Sequence, residues 1–414
     1  QPQSELIASP SFTSGIDMTS TLPRLLLKSG HDRRIKKGHR WVYSNEVDTN
    51  RSPLTQFAPG TLATVTSAQG KPLGSALVNP NTLIAARLYS REGDVVIDEE
   101  MLTRRLEAAL RLRRQLFASD HHRWVYGDSD ALPGLVLDCY GEVVVGQISS
   151  AGMEQLKPML ETAIAAVYAP ATLIWRNQGG FRAIEGLDEY TEVASGELPQ
   201  QLEISENGGR FVAPAQGGQK TGWFYDHRLN RARLGIHARA RRVLDLYSYV
   251  GGWGIQAALA GASSVTCVDS SAHALEWVNE NARRNGVAER VSTEQGDAID
   301  FLKACRDSRR QFDLILLDPP SLIPRRKFHT QGLKSYHQLN QLALKLLSDE
   351  GILITSSCSS HLQPAELWEV VVSAARHDGR HVQVLEQGHQ GPDHPIHPSM
   401  PETQYLKSLT VRAC

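Results

Sequence analysis

From about Gly209 onward the chain alternates short apolar runs with longer amphipathic stretches. RVLDLYSY, SVTCVDSS, RVSTEQGD, FDLILLDPP and GILITSSCS have the length and β-branched content of buried parallel strands. Helical spacing fills the intervals at 254–259, 272–285, 298–305, 336–347 and 364–377. Such alternation predicts an α/β fold, a doubly wound sheet with right-handed crossovers. VQVLEQG and YLKSLTVR follow with no long helix between them, which predicts a terminal antiparallel hairpin.

The amino-terminal half has a different rhythm. TLATVTS, KPLGSALV and TLIAARLYS are strand-like runs separated by turn residues, so residues 24–95 read as a small β-rich module. A helix is predicted from Asp98, an N-cap residue type, with Leu102, Leu106 and Leu110 at i, i+4 spacing. GDSDALPGLVLDCYG (127–141) reads as a loop, a strand and a tight turn; VVVGQIS continues as a strand and a helix covers Met153–Tyr168. The expected division is a disordered tail over 1–23, rich in Ser, Thr, Pro and Gln, then the β-rich module. A middle α+β domain (96–205) and the α/β domain (206–414) complete it.

Composition narrows the class. With 41% hydrophobic and 21% charged residues the chain is of globular type, and no apolar run approaches the ~20 residues of a membrane span. The amino-terminal residues lack the basic and apolar regions of a secretory signal. Cys139, Cys267, Cys305, Cys358 and Cys414 are scattered without a CxxC pair, which disfavours a disulfide framework or zinc site and points to a reducing cytoplasm. His389, His394 and His397 lie in a Pro-rich loop at irregular spacing, unsuited to a metal. Net charge is −1, yet Arg24, Lys28, Arg33, Arg34, Lys36, Lys37, Arg40 and Arg51 outnumber the nearby acids Asp32, Glu46 and Asp48. Trp41 and Tyr43 are interleaved, a composition suited to phosphate contact and base stacking. Lys36, Lys37, Arg40 and Trp41 are the candidate RNA contacts; a solvated basic face is the alternative.

Ligands of doubly wound sheets bind beyond the carboxyl ends of the strands. The first strand runs into LDLYSYVGGWG, where Gly251, Gly252 and Gly254 permit close backbone approach at a helix start. This is not the GxGxxG of dinucleotide sites. Asp269 ends the second strand, placed to accept from ribose hydroxyls, and Asp297 ends the third, placed to accept from an adenine amine. Asp245 on the first strand is a further acid; Tyr247, Ser248 and Ser270 flank the same turns. An acidic pocket favours the sulfonium of S-adenosylmethionine over a pyrophosphate, by charge alone.

LLDPPS places Asp318 at the end of the fourth strand and SSCSS places Cys358 at the end of the fifth. In the usual methyltransferase strand order these ends are neighbours, where a flipped-out or single-stranded base would sit. A thiolate adding to carbon 6 of a pyrimidine makes carbon 5 nucleophilic enough to take a methyl group. A carboxylic acid donating to ring nitrogen 3 would stabilise the adduct; Asp318 fits if its pKa is raised. A buried core thiol is the alternative reading of Cys358.

The chain resembles the bacterial ribosomal large-subunit RNA methyltransferase I family, which makes 5-methylcytosine in 23S ribosomal RNA. The resemblance runs from about Arg24 to Cys414, through GHRWVYSNEV, GDSDALPGLVLDCYG, QGGQKTGWFYDHR, LDLYSYVGGWG, DPPS, SSCSS and GPDHPIHPSMPETQYLK. It implies a PUA module over 24–95, a middle domain and a Rossmann-like class I methyltransferase domain using S-adenosylmethionine. It also implies Cys358 as nucleophile, Asp226 and Arg228 as part of the cofactor pocket, and ribosomal RNA, 23S or a large-subunit precursor, as partner. His227 stands where the family pattern has Gln, and Ser321 where it commonly has Lys. A guanine methyltransferase sharing the KTG…D-x-R segment, or a non-catalytic RNA-binding assembly factor, are the rival readings. Exposed β-rich modules are compatible with a homodimer, and no membrane partner is expected.

Overall fold

Seven strands form the carboxyl-terminal sheet of the computed structural model, which describes residues 21–414. They are β1 (Arg242–Leu246), β2 (Ser264–Asp269), β3 (Val291–Gln295), β4 (Phe312–Leu317), β5 (Leu347–Ser357), β6 (Val382–Gly388) and β7 (Lys407–Ala413). The order is β3-β2-β1-β4-β5-β7-β6, with β1–β5 parallel and β7 antiparallel to both its neighbours. The order of strand addition reverses between β1 and β4, so the crevice beyond these two strand ends is the switch point. β1 and β4 are buried, which explains their continuous apolar runs. β3 is an edge strand with mostly exposed side chains, so the expectation of a buried strand at RVSTEQGD fails.

Helices α1 (Gly252–Leu259), α2 (Ala272–Arg284), α3 (Ala298–Asp307), α4 (His329–Leu346) and α5 (Pro364–His377) cover the sheet. Val243, Val265 and Leu314 pack toward α1 and α2, whereas Leu244, Ile315 and Leu353 pack toward α3, α4 and α5. Alternate residues of each strand thus feed opposite layers, the period-2 rule. α4 begins earlier than the apolar spacing predicts, because its first turns, HTQGLKS, carry few apolar residues.

The amino-terminal sheet has five strands, in the spatial order 24–26, 61–66, 72–78, 84–90, 41–43. The three longer strands match the sequence reading. Arg24–Leu26 and Trp41–Tyr43 are too short to show a period. Leu22 N–H donates to Asp94 (2.9 Å) and the Pro23 carbonyl accepts from Thr64 (2.8 Å), so the expected disordered tail does not extend to these residues. Residues 1–20 lie outside the described residues. The middle sheet (121–126, 135–140, 143–148, 172–177, 190–195) is backed by helices Glu99–Leu116 and Lys157–Val167. Asp98 caps the first of these by accepting from Met101 N–H at 2.8 Å. The helix expected over 153–168 is broken at Leu156, with Pro158 in the first turn of its second part.

The expected boundary at residue 206 cuts a hairpin, Gln201–Glu206 paired with Gly209–Pro214. That hairpin belongs with the carboxyl-terminal sheet: the Asn281 amide of α2 bonds Val212 N–H and C=O at 2.7 and 3.0 Å. Glu206, at its end, is fully enclosed by Arg231 (2.6 and 2.9 Å), the Trp223 indole N–H (2.9 Å) and Gln256 (2.8 Å). Glu206→Ala leaves Arg231 a buried charge without its acid, and an unfolding free energy lower by about 3–5 kcal/mol is expected in urea titration.

Candidate cofactor and catalytic site

The turn after β1 is built for close approach. Gly251 has φ +84°, and a Cβ on Gly254 would lie 2.5 Å from Cys267 Sγ and 2.9 Å from Asp245 Oδ2. Tyr247 and Tyr249 also hold positive φ (61° and 51°), a conformation costing on the order of 1–3 kcal/mol each and maintained by surrounding contacts. Asp269 fixes the turn by accepting from Tyr249 N–H at 2.9 Å. Its other oxygen accepts from Ser271 N–H (2.9 Å), and Ser270 beside it is exposed. Asp297 caps α3 through one oxygen, accepting from Ile299 and Asp300 N–H at 2.8 and 3.1 Å. Burial pushes the Tyr247 phenol up to about 12, and Asp297 adds to the rise.

Asp245 is fully buried and accepts from Gly254 N–H at 2.8 Å through Oδ2. Its Oδ1 and the Ser248 hydroxyl are buried without partners. Burial pushes the Asp245 carboxyl up to about 8, the Gly254 N–H opposing, with Asp318 and Asp269 adding to the rise. Asp245 Oδ1 and the Ser248 hydroxyl, unpartnered beside the glycine cradle, fit a polar ligand.

At the ends of β4 and β5 the structure brings Asp318 and Cys358 to one edge, since Leu317 pairs with Thr355. Asp318 is partly exposed. Its Oδ2 accepts from the Trp253 indole N–H (3.1 Å), and its Oδ1 lies 3.2 Å from His227 Nε2. The Asn230 amide donates to His227 Nδ1 (3.2 Å), which leaves Nε2 to carry the hydrogen facing Asp318. Burial would raise this carboxyl, but His227 and Trp253 outweigh it and hold Asp318 below the usual carboxylate range. The expectation of a raised, protonated Asp318 is therefore overturned: two donors stabilise its anion.

Cys358 is partly exposed, in a loop fixed on both sides. Ser357 Oγ bonds Tyr336 Oη (2.7 Å), Ser359 Oγ donates to the Ile323 carbonyl (2.8 Å), and Lys407 donates to the Ser359 carbonyl. Burial raises the thiol, Lys220 opposes, and Asp318 and Asp226 raise it further. Asp226 is buried; its Oδ2 accepts from Tyr405 Oη (2.5 Å) and its Oδ1 has no partner. Burial would raise it, but His227, His394 and Lys220 hold it below the carboxylate range. His227, Lys220, Tyr405 and Lys407 also border this edge, and the strand-end pattern does not mark them. All four lie within the quoted segments QGGQKTGWFYDHR and GPDHPIHPSMPETQYLK, the available signal.

Arg228 goes elsewhere. Its guanidinium donates to the His121 carbonyl, lies 3.6 Å from Glu206 and stacks on Phe117 at 4.3 Å. These are contacts of a brace between the middle and catalytic domains, not of a cofactor pocket. The basic patch also divides. Lys36 pairs with Asp32 (2.5 Å), and the Trp41 indole donates to Asp128 (3.1 Å) with Arg87 over its ring. Lys37 is exposed, and Arg40 Nε donates to His397 Nε2 at 3.3 Å.

The sequence profile of the PUA-like domain matches residues 25–91, and that of S-adenosylmethionine-dependent methyltransferases matches residues 147–409. A ribosomal RNA large subunit methyltransferase I of Erwinia tasmaniensis is 34% identical over 395 residues, covering 94% of this chain and 99% of its own. The protein of the same name from Cronobacter sakazakii is 34% identical over 93% of this chain and 98% of its own. The chain belongs to the ribosomal RNA large subunit methyltransferase I family. Among solved structures, a SAM-dependent methyltransferase from Streptococcus mutans aligns with TM-score 0.81 at 20% identity, over 94% of this chain and all of that one. A methyltransferase complexed with SAH aligns with TM-score 0.82 at 21% identity and the same coverage. The PUA-like module and the Rossmann-like class I fold are thereby established, and S-adenosylmethionine is the cofactor of this methyltransferase. No helix among the described residues is long and apolar enough to cross a membrane.

The raised Asp245 carboxyl has a measurable consequence. Between about 3.8, its ordinary value, and about 8 the folded methyltransferase keeps a proton that the unfolded chain has lost. The stability contributed by this group therefore falls as pH rises across that window. Asp245→Asn keeps an acceptor for Gly254 and cannot ionise. It is expected to flatten the decline of the cofactor-free Tm between pH 5 and 8 and to weaken S-adenosylmethionine binding. Thermal melts and calorimetric titration check the two halves.

Proposed function

We propose that this methyltransferase forms 5-methylcytosine in large-subunit ribosomal RNA, with Cys358 as covalent nucleophile. The observation that carries the reading is a partly exposed thiol beside an ionised carboxylate at adjacent strand ends, next to the glycine cradle. The relatives' names and the PUA-like module support ribosomal RNA as substrate.

The proton inventory suggests how the pair works. At rest the thiol holds its proton and Asp318 does not. Asp318 takes the Cys358 proton as Sγ bonds carbon 6, and passes it to ring nitrogen 3, so that the electron pair released from the ring double bond accumulates on carbon 5. Bound S-adenosylmethionine supplies an electrophilic methyl group on its sulfonium sulfur. After transfer, loss of the carbon 5 proton to water restores the ring double bond and breaks the Sγ–C6 bond. The nitrogen 3 proton returns through Asp318 to the departing thiolate. His227 and Trp253 steady the carboxylate throughout, and the Ser357–Ser359 loop fixes the sulfur. The test is labelled methyl transfer to ribosomal RNA followed by nucleoside identification. 5-Methylcytosine is expected; 7-methylguanine or 2-methylguanine overturns the reading, since guanine needs no enzyme thiol.

A further inference from the structure

Among the described residues Lys407 is the only buried lysine, 7% exposed, and it lies against the Cys358 loop. It opens β7, where it pairs in register with Ser357 of β5. From there its ammonium reaches past Cys358 and donates to the Ser359 carbonyl, and also to the Tyr405 carbonyl (2.7 Å). An ammonium has three N–H donors. The third finds no acceptor among the described residues.

This charge is unbalanced as well as buried. The buried arginines have acids: Arg113 has Asp130, Arg182 has Glu154, and Arg228 and Arg231 share Glu206. Arg176 has none, but its guanidinium is used on the Pro214, Ala215 and Lys220 carbonyls. Lys407 forms no ion pair among the described residues. Glu366 of α5, the acid that acts on it, is held by His329 (2.8 Å) and the Gln363 N–H (2.7 Å). Burial pushes the Lys407 ammonium down to about 8, and Cys358 opposes that fall more than Glu366 does. Keeping a lone charge out of water is unfavourable unless an anion forms beside it. The Cys358 thiolate is such an anion, formed when the resting thiol gives up its proton.

We propose that Lys407 is a positioning residue that supplies the counter-charge of the Cys358 thiolate, its third N–H turned to Sγ once Asp318 has taken the thiol proton. This role rests on the reading of Cys358 as nucleophile. No bond to Lys407 forms or breaks. The proton passes from Sγ to Asp318, the negative charge passes from Asp318 to Sγ, and the ammonium keeps its three hydrogens. Of the other groups that act on the thiol, Asp226 and Asp318 are anions that oppose its ionisation, and Tyr336 of α4 is neutral. Lys220 favours the thiolate, but it is exposed over the Phe224 ring (5.0 Å), where salt screens it.

Alkylation of the full chain by iodoacetamide from about pH 6 to about pH 10, in about 1 M salt to suppress exposed charges, tests this, with the Cys358 adduct measured by peptide mass spectrometry. The thiolate is the form that reacts. In the parent the log rate should climb with pH and bend near 8, because Lys407 there loses the proton that stabilises the thiolate. Lys407→Met should react at least about tenfold more slowly at neutral pH, the effect of losing one adjacent opposite charge, and show no bend. Lys407→Arg should restore most of the neutral rate and also lack the bend, since a guanidinium keeps its charge. Asp245→Asn removes the other group pushed up to about 8 and should keep the bend. A parental profile without the bend overturns the pairing whether or not Lys407→Met folds. So do equal rates in the parent and Lys407→Met, equal slowing in Lys407→Met and Lys407→Arg, or a bend lost in Asp245→Asn. A coupled profile together with undiminished transfer to cytosine by Cys358→Ala upholds the pairing and sinks the covalent reading alone.

Discussion

Cys358→Ala is expected to bind S-adenosylmethionine as the parent does and to lose methyl transfer by about 10⁴-fold or more, because the addition to carbon 6 has no substitute in the pocket. The other cysteines offer none: Cys139, Cys267 and Cys305 are buried, and Cys414 is at the carboxyl terminus. The fold should survive. Cys358 is partly exposed, and its loop is held by Ser357, Ser359 and Lys407 rather than by the thiol. Cys358→Ser should be equally inactive, since a hydroxyl in this acidic field is a far weaker nucleophile than a thiol. Calorimetric cofactor binding and labelled transfer to RNA separate the two effects. Undiminished transfer to cytosine by Cys358→Ala would falsify covalent catalysis here.

Asp318→Asn is expected to lower kcat by about 10²–10⁴-fold, the usual range for a positioned proton-transfer group. The amide keeps the volume and can still accept from Trp253, but it cannot carry the thiol proton to nitrogen 3. His227→Gln should be milder, because a glutamine amide can still donate to Asp318. Its signature is the pH profile. In the parent, Asp318 stays ionised down to below the ordinary carboxylate range, and activity that needs the anion is lost as pH falls through that depressed value. Removing the imidazole lets the Asp318 pKa rise, so the acidic limb of kcat/KM should move to higher pH. An unmoved limb with parental kcat would detach the His227–Asp318 pair from catalysis.

The strands of the α/β domain were legible because buried parallel strands are continuous apolar runs and their connecting helices keep a 3.6-residue period. Phe312–Leu317 and Leu347–Ser357 could be placed from such runs, and with them Asp318 and Cys358 at their ends. Three-residue strands such as Trp41–Tyr43 carry no period at all. The polar start of α4 and the hairpin across residue 206 escaped for a related reason: long-range contacts define them, not local pattern.

The sequence by itself determined the chain of strand ends, the glycine turn, the acids that follow it and a cysteine opposite a DPP segment. These follow from local periodicity and residue chemistry, which need no knowledge of distant partners. Only the tertiary structure decided the state of those groups. Asp318 reads as a proton donor in isolation and becomes an anion because His227, ninety-one residues earlier, and Trp253 both point hydrogens at it. Arg228 reads as a ligand contact and is taken up by a brace to His121, Glu206 and Phe117. A side chain's charge is written in its type, but its ionisation and availability depend on neighbours that folding brings from elsewhere in the chain.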